Sequence, residues 1–238
     1  PVEDSDFPHH TALSNQLLAF ARHYDLHRSC RLGSPVEAVR ESATKAGSFE
    51  VKVHSEWLHF DRVCLCTGKV HEKNLPAGIP VGAGTMAFHS SDLDRHRHSF
   101  AGRHIVVVGF GAASAADVCE LAEQSAASVT VVTQQPVFLA PRMDEASGET
   151  LMAKFKMFNT LVPDSVVQNI LRKTLFKYPR DSTEEFTWGL HYATPCWNLH
   201  KLMERGRVVV RLSSLVECRD GRAILADGSS FSADVVVW

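Results

Sequence analysis

The most regular apolar run in the sequence, residues 105–108, consists of β-branched residues and ends at Gly109. A short run of this kind, bounded by glycine, predicts a strand that is buried on both faces, as in a parallel sheet. From residue 112 to residue 124 the composition changes to that of a helix, rich in alanine and glutamate. The stretch therefore predicts a strand, a glycine turn and a helix in direct succession.

Hydrophobic periodicity predicts most of the other elements. Apolar residues at helical spacing predict a helix over residues 11–25, and residues 199–204 have the pattern of a helix end. Two amphipathic helices are predicted inside a helical insertion at about 143–180, at residues 149–161 and 164–176. Short runs between turn residues predict strands at 28–32, 36–41, 49–54, 57–60, 61–66, 128–133, 207–211, 215–218, 223–226 and 234–238.

The order of these elements occurs twice along the chain. Residues 31–37 and 211–217 are identical at five of seven positions, and each segment precedes a series of short strands. The second copy has the strand, glycine turn and helix of residues 104–114 in front of it. The repeat predicts a similar unit before Pro1, and the apolar run that ends at Trp238 indicates a strand that is cut through. We therefore expect this chain to be a fragment of a protein with two dinucleotide-binding units.

The glycine turn carries the chemistry that the sequence indicates most directly. Gly109 permits a tight turn, and Gly111 lets the backbone approach a pyrophosphate without a Cβ in the way. Ser114 occupies the third small position of the motif, and the helix start presents N–H groups to the pyrophosphate. The six residues of this candidate loop are Gly109, Phe110, Gly111, Ala112, Ala113 and Ser114. The alternative is a strand–helix unit that binds no ligand.

Residues after the second predicted parallel strand would contact the adenosine ribose. A carboxylate at this place favours NAD, whereas a nearby arginine favours NADP. Thr133 and Gln134 stand there instead, so the choice of cofactor is open. Arg142 is a candidate partner for a phosphate, and a surface charge or salt bridge is an equal alternative for it.

Composition limits the class of protein. The chain has 238 residues, 45% of them hydrophobic and 22% charged, with a net charge of −2, as in an ordinary globular protein. This balance gives no basic field for nucleic acid, and no apolar run is long enough to span a membrane. The histidines at 89, 96, 98 and 104 lack the spacing of metal ligands, so we predict no metal site. The oligomeric state is left open.

The six cysteines are dispersed and form no C-x-x-C motif. This usage predicts a cytoplasmic protein whose cysteines are reduced and structural, not a redox dithiol. Cys64 and Cys66 alternate with apolar neighbours in a predicted strand. We therefore expect these two cysteines to share one buried face.

Several segments resemble the flavin-containing monooxygenases, which include N- and S-oxygenating and Baeyer–Villiger enzymes. Residues 6–9 resemble the family's stretch before an amphipathic helix, and residues 60–68 resemble its strand that ends in Ala-Thr-Gly, with Cys66 in place of alanine. Residues 88–91 resemble the family fingerprint, residues 109–117 its nicotinamide loop, and residues 232–238 the approach to a second Ala-Thr-Gly. The chain departs from the pattern at Leu93, where the fingerprint has an aromatic residue.

The resemblance implies an α/β, tandem Rossmann-like fold with two dinucleotide-binding domains, each a parallel sheet plus a small antiparallel meander. Residues 1–98 would be the back half of the FAD-binding domain with the interdomain linker, and residues 99–238 the NAD(P)H-binding domain. The implied cofactors are FAD and NADPH, with NADH not excluded. Besides the glycine loop, the predicted cofactor-binding residues are Thr133, Gln134, Arg142, Thr67, Gly68, His89 and Ser90.

The resemblance also implies a reaction. The whole enzyme would insert one oxygen atom from O2 into a nucleophilic nitrogen or sulfur, or into a ketone, of a small-molecule substrate through a C4a-(hydro)peroxyflavin. No catalytic side chain is assigned. Two alternatives remain at this point: an oxidoreductase of the flavin disulfide reductase type, and a truncated, non-catalytic nucleotide-binding module.

Overall fold

The computed structural model describes residues 10–68, 72–73, 75–110, 113–142, 175–184 and 193–238. These residues belong to two compact units, Pro1–His71 and Glu72–Trp238. The predicted helix at 149–161 lies outside the described residues, as does most of the one at 164–176. No helix in the described part of the chain is long and apolar enough to cross a membrane.

The first unit contains one helix and one antiparallel meander. Helix α1 (His10–His23) follows from the apolar spacing described above, which confirms the predicted helix with slightly shorter bounds. Strands β1 (Val36–Glu41), β2 (Phe49–Val53) and β3 (Glu56–Phe60) pair in the order β1-β2-β3. His54 and Ser55 join β2 to β3 with positive φ at both residues, which is the geometry of a tight hairpin turn.

Two predicted strands of this unit are wrong. Residues 28–32 do not form a strand, because the 3₁₀ helix Leu26–Ser29 follows the left-handed residue Asp25 and an ion pair joins Asp25 to Arg28. Residues 61–66 form no strand, because no strand among residues 10–68 lies beside them. An extended segment becomes a strand only where a neighbour completes the ladder of hydrogen bonds.

A row of three charged or titratable side chains crosses the meander. Arg40 on β1 lies opposite Glu50 on β2, which in turn lies opposite His59 on β3. The Arg40 Nε donates to Glu50 Oε2 at 2.7 Å, and the Arg40 guanidinium stacks over the Trp57 ring. The hydrogen bond from Arg40 lowers the pKa of Glu50, although burial of this carboxylate acts in the opposite direction.

We expect Glu50→Gln to destabilise the protein at neutral pH. At acid pH the stability of the variant should differ less from that of the unchanged protein. A carboxylate whose pKa is lowered by folding stabilises the fold above its ordinary pKa of 4.5, and this contribution is lost as the pH falls below that value. Thermal unfolding at both pH values, with amide exchange of β2, measures the effect. Glu41→Gln, an exposed carboxylate on the same meander, is the control, and a pH-independent effect of Glu50→Gln would contradict the prediction.

The second unit is built on a five-stranded parallel sheet. Its members, in the order β10-β6-β5-β14-β4, are β4 (Met86–Phe88), β5 (His104–Val108), β6 (Ser128–Thr133), β10 (Val208–Leu212) and β14 (Val235–Val237). Helix α2 (Leu93–His96) precedes β5, and helix α3 (Ala113–Glu123) joins β5 to β6. The predicted sequence of strand, glycine turn and helix is confirmed.

Two smaller sheets complete this unit. Strands β7 (Val137–Pro141), β8 (Phe176–Tyr178) and β9 (Ala193–Cys196) pair in the order β8-β7-β9, and helix α4 (Leu199–Glu204) follows β9. Strands β11 (Leu215–Arg219), β12 (Arg222–Leu225) and β13 (Ser230–Ser232) form an antiparallel meander. The predicted helix at 164–176 ends at Phe176, where the structure has the first residue of β8.

Residues 80–100, which the sequence predicts to be an interdomain linker, contribute to the parallel sheet. Within that segment, β4 pairs in parallel with β14, and the 3₁₀ helix Arg97–Phe100 buries Phe100 in the core. The two compact units of the chain divide between His71 and Glu72, and the predicted domain boundary after residue 98 stays a prediction. The apolar run of β4 is only three residues long, which is too short to predict a strand from the sequence.

Both faces of β5 are buried, as its composition predicts. Ile105 and Val107 belong to a core cluster with α3, which contributes Ala116 and Val118. Val106 belongs to a second cluster with apolar residues of the meander β11-β12-β13. Since successive side chains of a strand point to opposite faces, this division shows that β5 lies between α3 and the meander.

Candidate dinucleotide-binding site

Several of the predicted ligand-binding residues of the second unit lie at one edge of the parallel sheet. Because β4, β5, β6 and β14 are parallel, their carboxyl ends lie at the same edge. Thr133 is the last residue of β6, and His89, Gly109 and Trp238 directly follow β4, β5 and β14. From β5 the chain passes through α3 to β6 on one side, while β14 pairs with the other side of β5. In open α/β sheets, ligands bind at the carboxyl edge where the direction of strand order reverses.

Gly109 makes the turn out of β5. Its φ is +82°, a value that favours glycine, and its N–H donates to the Val132 carbonyl oxygen at 2.8 Å. Apart from its two chain neighbours, no heavy atom of the described residues lies within 4 Å of the position that a Cβ on Gly109 would take, so the turn is open on this side within the described part of the chain. Phe110 is buried in the core and thereby anchors the turn.

The rest of the candidate loop is described only in part. Gly111 and Ala112 lie outside the described residues, and α3 begins at Ala113, which places Ser114 in its first turn. The positive φ of Gly109, the open space beside it and the start of an eleven-residue helix together fit a dinucleotide. The backbone N–H groups of the first turn of α3 would hold its pyrophosphate.

Neutral polar groups follow the carboxyl end of β6. The Thr133 hydroxyl donates to the Gln135 carbonyl oxygen at 3.2 Å, and the Gln134 amide donates to the Ser214 hydroxyl at 2.9 Å. The Ser213 N–H donates to the Thr133 carbonyl oxygen at 3.0 Å. Hydroxyl and amide groups of this kind can bind either a ribose hydroxyl or a phosphate oxygen.

His89 and Ser90 hold the end of β4 beside the end of β14. His89 caps the 3₁₀ helix Ser90–Asp92, with its Nδ1 accepting the Ser91 N–H at 3.1 Å. The Ser90 N–H donates to the Trp238 carbonyl oxygen at 2.8 Å, and the Trp238 N–H donates to the Phe88 carbonyl oxygen at 3.0 Å. Both residues thus shape the carboxyl edge of the sheet.

Thr67 and Gly68 belong to the first unit. Both residues are exposed, and Gly68 has a φ of +79°. This backbone conformation favours glycine at the end of the segment that follows β3. Their predicted contact with a cofactor stays a prediction.

Arg142 lies at the end of β7, beside α3. Its Nη2 atom lies 3.2 Å from Asp117 Oδ1, and its guanidinium carbon lies 5.1 Å from the centre of the Trp197 ring. Its backbone N–H donates to the Cys196 carbonyl oxygen at 2.7 Å, and only 15% of its side chain is exposed. The structure thus places Arg142 in a salt bridge, one of the two alternatives, while its role as a phosphate partner stays a prediction.

Sequence reasoning missed Glu120, which joins α3 to α4. Its Oε1 accepts the backbone N–H groups of Trp197, Asn198 and Leu199 at 2.9, 2.7 and 2.7 Å. Burial raises the pKa of Glu120, and the three N–H donors act against this rise. Glu120 thereby caps α4, whose own N-cap residue Asn198 makes no side-chain capping bond. No local sequence signal could have shown this, because the partners are 77 to 79 residues away.

A family model described as "FMO-like: Flavin-binding monooxygenase-like" matches residues 1–238. The chain belongs to this family. Among curated relatives, the mouse (Mus musculus) protein "Dimethylaniline monooxygenase [N-oxide-forming] 2" is 29% identical over 188 residues. The match covers 75% of this chain and 34% of the mouse protein. The chain therefore spans about a third of the length of the curated relatives that it matches.

Two solved structures have the same fold. The complex of OTEMO with FAD and NADP has a TM-score of 0.66 at 15% identity, covering 99% of this chain and 58% of that chain. The open structure of cyclohexanone monooxygenase has a TM-score of 0.67 at 14% identity, covering 95% and 57%. These similarities confirm the predicted fold class, with two dinucleotide-binding domains.

We expect Glu120→Ala to lower the free energy of unfolding by about 1–3 kcal/mol, because three N–H groups lose their acceptor. Glu120→Gln should lower it less, since an amide oxygen can still accept these bonds and needs no desolvation of a charge. Urea unfolding measures both changes. Glu123→Ala, which removes the ion pair with Arg207 from the same helix, is the control, with an expected loss below about 1 kcal/mol. Equal losses in Glu120→Ala and Glu123→Ala would contradict this role of Glu120.

Proposed function

We propose that this chain forms the dinucleotide-binding part of an FAD- and NADPH-dependent monooxygenase. The enzyme would insert one oxygen atom from O2 into a small-molecule substrate, at a nucleophilic nitrogen or sulfur or at a ketone. The observation that carries the proposal is the open glycine turn at Gly109, which lies at the switch point of a parallel sheet. Membership of the family and the names of the similar proteins support the oxygenation chemistry.

The second unit would bind the nicotinamide dinucleotide. The turn at Gly109 and the first turn of α3 would receive the pyrophosphate, and Thr133 and Gln134 would contact the adenosine ribose. The described groups at the end of β6 include no carboxylate of the kind that selects NADH. The structural similarity to a protein in complex with NADP supports NADPH.

The first unit would contribute to the flavin site. Thr67 and Gly68 are the residues there that we expect beside FAD, since the positive φ of Gly68 lets the backbone approach a ligand closely. The flavin, when bound, supplies the redox chemistry and the reaction with oxygen. The residues of this chain would position the two cofactors and exclude water from the reacting atoms.

A non-catalytic nucleotide-binding module is the second candidate. It is favoured by one observation: among the described residues, only the second unit has a strand, glycine turn and helix in succession. A disulfide reductase is the weaker alternative, because the family of this chain is that of monooxygenases and the sequence contains no C-x-x-C pair.

We expect the chain to bind NADPH and to purify without FAD, and we expect Gly109→Ala to weaken NADPH binding about tenfold. A side chain at this φ is strained by about 1–3 kcal/mol, and its Cβ would fill the space intended for the ligand. Titration of NADPH fluorescence measures the affinity. Gly228→Ala is the matched control, since Gly228 has a φ of +81° in the turn between β12 and β13. Equal affinities of the Gly109→Ala and Gly228→Ala variants would contradict the proposed site.

In the protein that carries this chain, we expect substrate-dependent oxidation of NADPH with uptake of O2 and transfer of one oxygen atom to the product. Oxygen uptake and mass spectrometry after reaction under isotopically labelled O2 measure both steps, with a tertiary amine, a thioether and a cyclic ketone as probes. NADPH binding without bound flavin or oxygen uptake would instead support the non-catalytic module.

A further inference from the structure

Two carboxylates lie in the first part of α3, and each meets a different group. Asp117 comes four residues after the helix begins at Ala113, and Glu120 comes three residues later. Three backbone N–H groups at the start of α4 donate to the Glu120 carboxylate. The Arg142 guanidinium instead meets the Asp117 carboxylate, with Nη2 3.2 Å from Oδ1. The two negative charges beside the candidate dinucleotide site are therefore compensated separately.

The Asp117 carboxylate is close enough to the start of α3 to act on a bound anion. An α-helix rises about 1.5 Å per residue, so Asp117 lies about 6 Å along the axis from Ala113. Charges interact over about 8 Å at physiological ionic strength. The field of Asp117 also extends along the helix, because its charge adds to burial in raising the pKa of Glu120. An uncompensated Asp117 would therefore repel a pyrophosphate held by the first turn of α3.

The fold holds Arg142 in place beside Asp117. Strands β7 and β9 pair in parallel, and just beyond them the Arg142 N–H donates to the Cys196 carbonyl oxygen at 2.7 Å. The guanidinium carbon lies 5.1 Å from the centre of the Trp197 ring, and only 15% of the Arg142 side chain is exposed. An arginine fixed in this way loses little further freedom when it forms an ion pair. The cation is thus a fixed feature of the site and not a mobile surface charge.

We propose that Arg142 is a positioning residue for the dinucleotide, and that it acts through Asp117, whose charge it neutralises in the second turn of α3. The first turn of the helix can then hold the phosphates without repulsion from this carboxylate. In this role Arg142 does not touch the dinucleotide. The inference rests on the proposed function, because it requires that the site at Gly109 binds NADPH.

Two other roles of Arg142 lead to different results in a cycle of variants. If Arg142 bound a phosphate directly, its loss would weaken binding whether or not Asp117 were present. If the ion pair only stabilised the fold, loss of either partner would weaken binding. Under the proposal, binding is weakened only where the carboxylate remains and the guanidinium is absent.

Titration of the full protein that carries this chain with NADPH, followed by fluorescence, tests the proposal. We expect Arg142→Gln to weaken NADPH binding about two- to fivefold, which is the effect of one uncompensated charge near a helix start. Asp117→Asn and the double variant should bind NADPH at least as tightly as the unchanged protein, because neither keeps an uncompensated carboxylate. High salt should reduce the loss in Arg142→Gln, since salt screens the half-exposed Asp117.

Arg207→Gln is the matched control. It removes the partner of Glu123, which is the last residue of α3 and lies about 15 Å along the axis from the helix start. An uncompensated charge at this distance is screened, so the variant should bind NADPH like the unchanged protein. The control thus separates a charge near the phosphates from the general loss of an ion pair on the same helix.

The proposal is overturned if the double variant binds NADPH as weakly as Arg142→Gln, or if Arg142→Gln binds it normally. It is also overturned if Asp117→Asn binds more weakly than the unchanged protein, a result that decides the question even where Arg142→Gln fails to fold. Thermal unfolding of each variant shows which of them are folded at the assay temperature. Absence of NADPH binding in the unchanged protein would contradict the proposed function itself, and this inference with it.

Discussion

Parallel pairing of β14 between β5 and β4 is the constraint on which the second unit depends. Val235–Val237 bonds to Ile105–Val107 on one side and to Met86–Phe88 on the other. The Asp234 carboxylate accepts the His104 N–H at 2.8 Å, which sets the register at the other end of the strands. This register brings Gly109, His89 and Trp238 to one edge, so that a loop, a linker residue and a distant strand meet at a single site.

Local sequence patterns predicted the strands, helices and turns that depend on residues close together in the chain. The β-branched run of β5 and β6, the helical composition of α3 and the turn residues of the two meanders all act within a few residues. Prediction failed where pairing depends on a distant partner. Residues 61–66 have the composition of a strand but no neighbour among residues 10–68, whereas the short β4 is a strand because β14 lies beside it.

The residues of the candidate site likewise differ in whether their role depends on local sequence or on distant partners. Gly109 could be predicted because the buried strand, the glycine turn and the helix are formed by consecutive residues. Glu120 could not, because its acceptor role exists only when the start of α4 is folded against α3. Arg142 was predicted as a phosphate partner, with a surface charge or a salt bridge as the alternative, and only the fold shows that Asp117 on α3 lies beside it. Burial of Cys64 and Cys66 likewise depends on contacts that composition does not record.

The pairing of β14 also has a consequence for how the protein is made. Residues His104 and Asp234, which align β5 with β14, are 130 positions apart in the chain. During synthesis β5 and β6 leave the ribosome long before β14, so one hydrogen-bonding edge of β5 has no native partner until β14 is made. Contacts so distant in sequence slow folding, and an unpaired apolar edge invites association between nascent chains. The last strand of the sheet therefore sets the moment at which the nucleotide site can first exist.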